Sequence, residues 1–319
     1  PRLQRFSIAG QSLSRIAVTG DATSILWFAE AGGDVFTADF GDKSTLTLDR
    51  TAELFRLRTP NGSVTEFDMA SGLALRMTTG TGHLIEFVEW VAEGSKPAKL
   101  QQSAVVNGVT ITEQVVYAWS QPYDLQLESV TLRRKEGTGA WQDVRRVSYT
   151  YYQDTDVYGG DSDLKTVTTE LWNGSAWIET GTTYYRYYIT LPGSSSSSSS
   201  AVSSSSSSGS VTPPNRPVPI HLLKYVVNPD AFARLSADPA VSDPFTASDA
   251  IVAQYADYFF EYDQEHRVIR ESVNGGGQVY SFSYTQSAFA NGYNSWLTKT
   301  VETQPDGTLN TVFCNYAGR

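Results

Sequence analysis

The stretch Leu100-Gln-Gln-Ser-Ala-Val-Val-Asn-Gly-Val-Thr-Ile-Thr-Glu-Gln-Val-Val-Tyr117 decides the fold class. Apolar and polar residues alternate along its second half, as they do in a half-buried β-strand. In its middle, Asn107-Gly108 is a dipeptide that favours a type I′ turn, because both residue types tolerate positive φ. The stretch therefore predicts a β-hairpin with a two-residue loop.

The same combination of a turn signal and strand-like flanks recurs along the chain. Further Asn-Gly or Asp-Gly dipeptides stand at residues 61–62, 173–174, 274–275, 291–292 and 306–307. Segments with the composition of strands lie at 130–135, 147–152, 184–189 and 221–227. The chain is therefore predicted to be all-β and to form an array of long antiparallel β-hairpins.

The composition agrees with this fold class and excludes several kinds of function. The 319 residues include 18 Tyr, 14 Phe, 7 Trp and 25 Gly, a mixture that favours strands and turns. A net charge of −10 argues against a nucleic-acid surface and against docking on anionic lipid. No segment has the apolar length of a membrane span, so we expect no direct membrane insertion. The single Cys314 excludes an internal disulfide framework, and we expect it to act as a small apolar residue.

Two short helices are predicted between residues 229 and 256. Asn228-Pro229 has the pattern of an N-cap followed by proline at the first helical position. A second helix is predicted within 246–255, capped by Thr246 or Ser248. The dipeptides Asp238-Pro239 and Asp243-Pro244 are interpreted as turns between the two helices.

A serine- and proline-rich segment, residues 193–219, interrupts the array. Such segments usually link two domains and are predicted to be disordered, because they have little apolar surface to bury. We favour a loop insertion instead, because the residues before and after it are predicted strands of one array. The predicted organisation is a hairpin array at 1–192, the insertion at 193–219, and the same array continuing at 220–319. Because the chain begins at Pro1 and ends in a turn-like sequence, we expect it to be a segment of a longer protein.

Three segments resemble the YD repeat of RHS proteins, which is an aromatic strand ending in Tyr-Asp, a tight turn and an apolar strand. They are the residues 260–270, 64–73 and 315–319, and the stretch 147–168 is similar to the extended RHS repeats. His266 stands where the family has glycine, and the spacing between copies is irregular. The residues that match the motif are Phe67, Asp68, Gly72, Tyr262, Asp263, Arg267, Tyr316, Gly318 and Arg319.

The aromatic residue and the aspartate of this motif have a physical role that follows from their chemistry. An aspartate that follows the aromatic residue accepts backbone N–H groups two residues on, while the aromatic ring fills one face of the sheet. One hairpin cannot bury that face alone, so copies must stack. We therefore expect the motif residues to be structural, with no catalytic or metal-binding role.

The resemblance implies a fold and a function. In bacterial RHS proteins, as in the similar teneurins and the cocoon subunits of insecticidal toxin complexes, such repeats wind into a spiral β-sheet shell around a separate C-terminal domain, often a toxin. This chain would form part of the wall of such a shell in a secreted or cell-surface protein. Its implied partners are further repeats and the cargo domain of the same polypeptide.

Two other classes of function stay open at this point. A binding module would use exposed tyrosines, such as those within 184–188, to recognise a carbohydrate or a cell-surface partner. An enzyme is the least favoured class, because no set of residues has catalytic spacing. We therefore predict that the chain is not an enzyme and has no organic cofactor.

An acidic loop is the candidate metal site. Asp154, Asp156, Asp161 and Asp163 fall together with two glycines within ten positions, and carboxylates on a bent loop are suited to Ca²⁺. The spacing and the missing terminal Glu differ from an EF-hand, so a solvated acidic hairpin loop is the favoured interpretation.

Overall fold

A computed structural model describes residues 2–7, 14–20, 25–91, 96–120, 126–189 and 221–318. In these ranges almost all regular structure is strand, with 21 strands and two short helices. The predicted all-β class is therefore confirmed. The serine-rich segment and Arg319 lie outside the described residues.

The strands follow one another along the chain with short connections. The first twelve are β1 (Arg2–Ser7), β2 (Ser14–Thr19), β3 (Ile25–Gly32), β4 (Val35–Ala38), β5 (Thr45–Asp49), β6 (Leu54–Arg58), β7 (Val64–Asp68), β8 (Ala74–Thr78), β9 (Leu84–Trp90), β10 (Pro97–Val106), β11 (Val109–Trp119) and β12 (Leu127–Glu136). The remaining elements are β13 (Gln142–Tyr151), β14 (Leu164–Trp172), β15 (Trp177–Tyr188), β16 (Leu222–Val227), α1 (Pro229–Ala237), α2 (Asp249–Val252), β17 (Tyr258–Tyr262), β18 (Val268–Val273), β19 (Gln278–Gln286), β20 (Thr298–Thr303) and β21 (Leu309–Cys314).

The molecule divides into two compact units, residues 1–146 with 171–176 and residues 147–170 with 177–319. In the first unit, each strand from β1 to β12 pairs antiparallel with the next one in the sequence. In the second, the strands from β15 to β21 pair in the same sequential way. Both units are therefore built from consecutive hairpins, as predicted.

The strands on either side of the serine-rich segment are direct partners. Tyr188 of β15 lies opposite Leu222 of β16, and Tyr184 lies opposite Val227. The residues 190–220 thus connect two neighbouring strands of one compact unit. The predicted insertion at 193–219 lies outside the described residues and stays a prediction.

Two of the predicted Asn-Gly turns have both residues at positive φ. Asn107 and Gly108 have φ values of 52° and 79°, and Val106 lies opposite Val109, so the loop has two residues as predicted. Asn274 and Gly275 have φ values of 54° and 63° in a four-residue loop between β18 and β19.

The turns at Asn61-Gly62 and Asp306-Gly307 differ from the predicted type I′ geometry. Only their glycines have positive φ, 83° in each case. The N–H of Gly62 donates to the Thr59 carbonyl at 2.9 Å, and Gly307 donates to Gln304 at the same distance. This is a type I turn followed by one left-handed residue. The prolines at 60 and 305 explain it, because they fix the first central φ near the type I value.

The prediction of a tight turn at Asn291-Gly292 is wrong. These residues lie within the loop between Gln286 and Thr298, and Gly292 does not have positive φ. The loop is instead closed by a hydrogen bond of 2.8 Å from the Ser287 N–H to the Leu297 carbonyl. The ring of Phe289 packs edge-on against Trp296, so local aromatic packing overrides the dipeptide preference here.

The alternation of side chains along the strands places apolar residues in the core of the first unit. In β6, Phe55 and Leu57 are buried while their neighbours are more exposed, and Phe67 of β7 is fully buried. The buried apolar residues that pack together are Leu3, Ile16, Val18, Phe28, Phe36, Leu46, Phe55, Leu57, Phe67 and Ala74.

The core of the second unit lies between its strands and the helical segment. Asn228 and Ser248 are the N-cap residues, and Pro229 begins α1, as predicted, although neither cap side chain donates or accepts a capping hydrogen bond. Ala231 and Leu235 of α1 are buried with Tyr184, Tyr225 and Val227 of the sheet. Asp238 ends α1, and its carboxylate accepts the Ala240 N–H at 2.8 Å, which confirms the turn predicted at Asp238-Pro239.

Within the described residues, no helix is long and apolar enough to cross a membrane.

Gly72 lies directly against the backbone of β1. Its carbonyl accepts the Leu3 N–H at 2.8 Å, its φ is 69°, and a Cβ at this position would overlap the Leu3 carbonyl oxygen. Strand β1 therefore depends on a residue without a side chain in the turn after β7.

Replacing Gly72 by alanine should destabilise the protein more than the same change at Gly82. Gly82 has a similar φ of 88° but has open space around its Cα, so Gly82→Ala carries only the backbone strain, about 1 kcal/mol. Gly72→Ala adds a backbone clash and should cost at least ~2 kcal/mol more. Urea unfolding of both variants measures the difference, and equal losses would contradict the close packing of β1 on this turn.

Candidate functional site

The hairpin of β17 and β18 contains the YD-like segment of the second unit. The Asp263 Oδ1 accepts the N–H groups of Glu265 and Arg267, each at 2.9 Å. The Asp263 N–H donates to the Arg267 carbonyl at 3.0 Å, and His266 has a φ of 63°. His266 thus occupies the left-handed position that Gly62 and Gly307 occupy in the other three-residue loops.

The strand pairing beside this turn contains a register shift. Glu261 lies opposite Arg270, but Tyr262 lies opposite Val268, so Ile269 is bulged out and partly exposed. The Glu261 carboxylate and the Arg270 guanidinium lie 3.7 Å apart across the strands. The Tyr262 ring packs edge-on against Tyr188 at a centroid distance of 6.0 Å.

The hairpin of β7 and β8 has the same arrangement at equivalent positions. Glu66 lies opposite Arg76, Phe67 lies opposite Ala74, and Leu75 is bulged out and partly exposed. Arg76 forms an ion pair with Glu66. The Asp68 N–H donates to the Leu73 carbonyl at 2.9 Å, and its Oδ1 accepts the Ser71 N–H at 2.7 Å.

The two hairpins therefore share more than the aromatic-aspartate pair. Each has a glutamate before the aromatic residue, a bulged apolar residue on the return strand, and an arginine that pairs with the glutamate across the strands. They differ in that the turn after Asp68 is one residue longer and uses Gly72 as its left-handed residue. The sequence motif includes the aromatic residue and the aspartate but not the glutamate and the arginine. Because one turn is a residue longer than the other, the two arginines do not align in the sequence.

The third segment fits the motif in a different alignment. The Gly318 N–H donates to the Asn315 carbonyl at 3.0 Å, and the Asn315 Oδ1 accepts the Ala317 N–H at the same distance. Asn315 thus takes the position of Asp263, and Gly318 takes that of His266. Tyr316 lies in the turn and is exposed, so it is not the equivalent of Tyr262, and Arg319 lies outside the described residues.

The turn carboxylates are favoured in their ionised form. The Arg267 backbone N–H is the largest cause that lowers the pKa of Asp263, and the Ser71 hydroxyl is the largest that lowers the pKa of Asp68. Burial acts to raise the pKa of Glu66, but hydrogen bonds from Arg76 and Arg56 outweigh it, and the pKa is lowered. These groups stabilise the fold above the ordinary carboxyl pKa, and that contribution is lost as the pH falls through their lowered values.

A buried arginine ties the helical segment to the sheet of the second unit. Arg186 of β15 has no exposed surface, and its guanidinium lies 3.6 Å from the centre of the Tyr158 ring. It donates to Asp249 at 2.9 Å and to the Ala247 carbonyl at 2.6 Å. Lys224 also contacts Asp249, at 2.5 Å. Because every acceptor here belongs to the fold itself, the cluster has a structural role.

The tyrosines proposed from sequence as a sugar-binding surface are mostly part of the core. Tyr184 and Tyr188 are buried, and burial raises the pKa of both hydroxyl groups. The Tyr187 ring packs edge-on against Tyr152. Tyr185 and Tyr187 alternate with the two buried tyrosines and are each partly buried, so this run does not form an exposed carbohydrate platform.

The acidic loop does not gather its carboxylates. The Asp156 Oδ2 accepts the Gln153 N–H at 2.8 Å, and the Asp163 Oδ2 accepts the Gly160 N–H at 2.7 Å. The other Asp163 oxygen lies 2.9 Å from the His221 Nδ1. Nowhere in the described part of the chain do three or more His, Cys, Asp or Glu side chains meet as metal ligands. The calcium hypothesis for Asp154, Asp156, Asp161 and Asp163 has no geometric support.

Comparisons with known proteins add little to this geometry. No family model and no curated protein matches the chain. Among solved structures, a porin-like protein from Bacteroides uniformis ATCC 8492 aligns with 98% of this chain and 96% of its own, at 10% sequence identity and a TM-score of 0.26. A similarity at that TM-score supports no conclusion about the fold or function of this chain.

Substitutions in the Asp263 turn should separate the hydrogen-bond role from the charge. Asp263→Asn keeps the Oδ1 acceptor of both turn N–H groups and loses the partly exposed contact between Oδ2 and the Arg267 guanidinium, so it should be nearly neutral. Asp263→Ala leaves two turn N–H groups without their acceptor and should lower the urea midpoint measurably. Tyr262→Ala should cost most, about 2–3 kcal/mol, because it empties the space beside Tyr188. If Asp263→Asn were as damaging as Asp263→Ala, the charge itself would matter, and the structural interpretation would fail.

Proposed function

We propose that this chain is a non-catalytic wall segment of an RHS/YD-repeat shell in a large secreted or cell-surface protein. The shell encloses or presents a separate domain of the same polypeptide, such as a toxin. Its immediate partners are further repeats of the same kind on either side.

The shared hairpin design of β7–β8 and β17–β18 carries this proposal. Two segments nearly 200 residues apart in the sequence have the same order of glutamate, aromatic residue, aspartate turn, bulge and arginine. A repeated hairpin of this kind cannot bury its apolar face alone and gains stability when copies lie side by side. Repetition of one structural unit favours a scaffold over a single-site enzyme.

The sequential pairing of strands also supports a wall. From β1 to β12 and from β15 to β21 each strand hydrogen-bonds to its neighbours in sequence, so the sheet extends by adding hairpins. The polar side chains described above are occupied by contacts within the fold, as in the Arg186 cluster. These features suit a protein whose task is to separate two spaces.

The proposal is tested on the full-length polypeptide in which this chain lies. Cryo-electron microscopy should show a hollow β-sheet shell with residues 1–319 in its wall and the C-terminal domain inside. In the intact protein, the C-terminal domain should resist a protease that cleaves it readily when it is produced alone.

A variant pair links that protection to the hairpins. Tyr262→Ala should increase the rate of cleavage of the enclosed domain by about tenfold or more, because opening of the wall becomes more frequent. Tyr293→Ala, which removes an exposed loop tyrosine, should leave the rate unchanged. A C-terminal domain that lies outside and is cleaved equally fast in the intact protein and alone would contradict the proposal.

A further inference from the structure

One face of the sheet formed by β17, β18 and β19 carries a cluster of aromatic rings. Because side chains alternate along a strand, Tyr258 and Phe260 of β17 lie on the same face. The register places Phe260 opposite Glu271 and Glu271 opposite Tyr280, so all three share that face. Phe282 follows two residues after Tyr280. We call this set the aromatic stripe: Tyr258, Phe260, Glu271, Val273, Tyr280 and Phe282.

Two neighbouring rings of the stripe lie parallel to each other. The planes of Tyr258 and Phe260 differ by 4°, and their centroids lie 6.4 Å apart. Glu271 lies between Phe260 and Tyr280 in the direction across the strands. The arrangement therefore places a carboxylate between two rings that stand on the same side of the sheet.

The opposite face of β17 is used differently. Phe259 points there, stacks on Tyr225 at 5.1 Å, and packs against the core that contains α1. The stripe residues belong to neither core cluster, and each stays partly exposed. The aromatic rings of the stripe are thus not needed to fill the interior of the described fold.

The charges of the stripe restrict what can lie on it. The Glu271 carboxylate has no hydrogen bond or ion pair with any other described residue, and the six stripe positions contain no Lys or Arg. An apolar protein segment that covered the stripe would bury this carboxylate without a partner, at a high desolvation cost. A neutral sugar instead offers C–H faces to the rings and hydroxyl donors to the carboxylate.

The stripe ends at the Asp263 turn. The Tyr284 hydroxyl donates to the Val268 carbonyl at 2.7 Å, and the Arg267 guanidinium lies 4.5 Å from the centre of the Tyr284 ring. One face of this ring is therefore already covered by the turn. The surface open to a ligand is the part between Tyr258 and Phe282.

We propose that the aromatic stripe binds a neutral polysaccharide chain. Pyranose rings stack on Phe260 and Tyr280, and Glu271 accepts hydrogen bonds from their hydroxyl groups. This goes beyond the proposed shell function and does not depend on it, because it rests on a partly exposed face of one sheet and not on enclosure of a cargo.

Isothermal titration of the purified chain with cellohexaose, chitohexaose and maltohexaose tests the proposal. At least one of these neutral hexasaccharides should bind. Phe260→Leu and Tyr280→Leu keep an apolar side chain but remove the ring, and each should weaken binding at least ~10-fold. Glu271→Gln, which replaces an acceptor oxygen by a donor, should also weaken it. Tyr293→Leu, an exposed tyrosine away from the stripe, is the matched control and should bind as the wild type does.

Urea midpoints of the leucine variants should stay close to that of the wild type, so that lost binding is a property of the surface and not of unfolding. Absence of binding for all three hexasaccharides would overturn the proposal. It would also be overturned if the stripe variants bound as well as Tyr293→Leu. Concentration-dependent dimerisation that Phe260→Leu abolishes, without sugar binding, would assign the stripe to a second copy of the chain instead. None of these results changes the test of the shell, which measures protection of an enclosed domain.

Discussion

The Asp263 carboxylate, by accepting two backbone N–H groups of its own turn, fixes where β17 ends and where β18 begins. In an antiparallel pair this matters for every residue that follows, because a slip of one position moves all side chains to the other face of the sheet. The bulge at Ile269 adds a second constraint, since it sets Tyr262 opposite Val268 while Glu261 stays opposite Arg270. Turn and bulge together leave one register for the hairpin.

That register decides which rings are buried and which are exposed. It directs Phe259 towards Tyr225 and the helical segment, and it directs Tyr258 and Phe260 to the other face. The buried Arg186 then holds the helical segment in place by binding Asp249 and the Ala247 carbonyl. A scaffold face and a partly exposed aromatic face therefore arise from the same alternation, and one hairpin serves both the proposed wall and the proposed sugar surface.

Much of the fold could be predicted from the sequence because its signals are local. Alternation and the Asn107-Gly108 dipeptide gave a hairpin with the right loop, and Asn228-Pro229 gave the start of α1. The dipeptide rule failed at Asn61-Gly62 and Asp306-Gly307, where a preceding proline selects another turn, and at Asn291-Gly292, where aromatic packing closes a longer loop. The ion pairs Glu66–Arg76 and Glu261–Arg270 were not predicted, because cross-strand partners depend on the bulge and on loop length. The burial of Tyr184 depends on the helical segment, and Tyr188 packs against Tyr262 of a later strand. Alternation within one strand reveals neither contact.

Disulfide trapping across β17 and β18 tests the register most directly. In a Cys314→Ser background, one variant carries Glu261→Cys with Arg270→Cys, and a second carries Glu261→Cys with Glu271→Cys. The first pair lies directly opposite on one face, whereas the second pair points to opposite faces, where two sulfur atoms cannot approach each other. The account predicts rapid cross-linking of the 261–270 pair under mild oxidation and none of the 261–271 pair. Equal or faster cross-linking of the 261–271 pair would show that the turn does not fix the register, and would contradict the account.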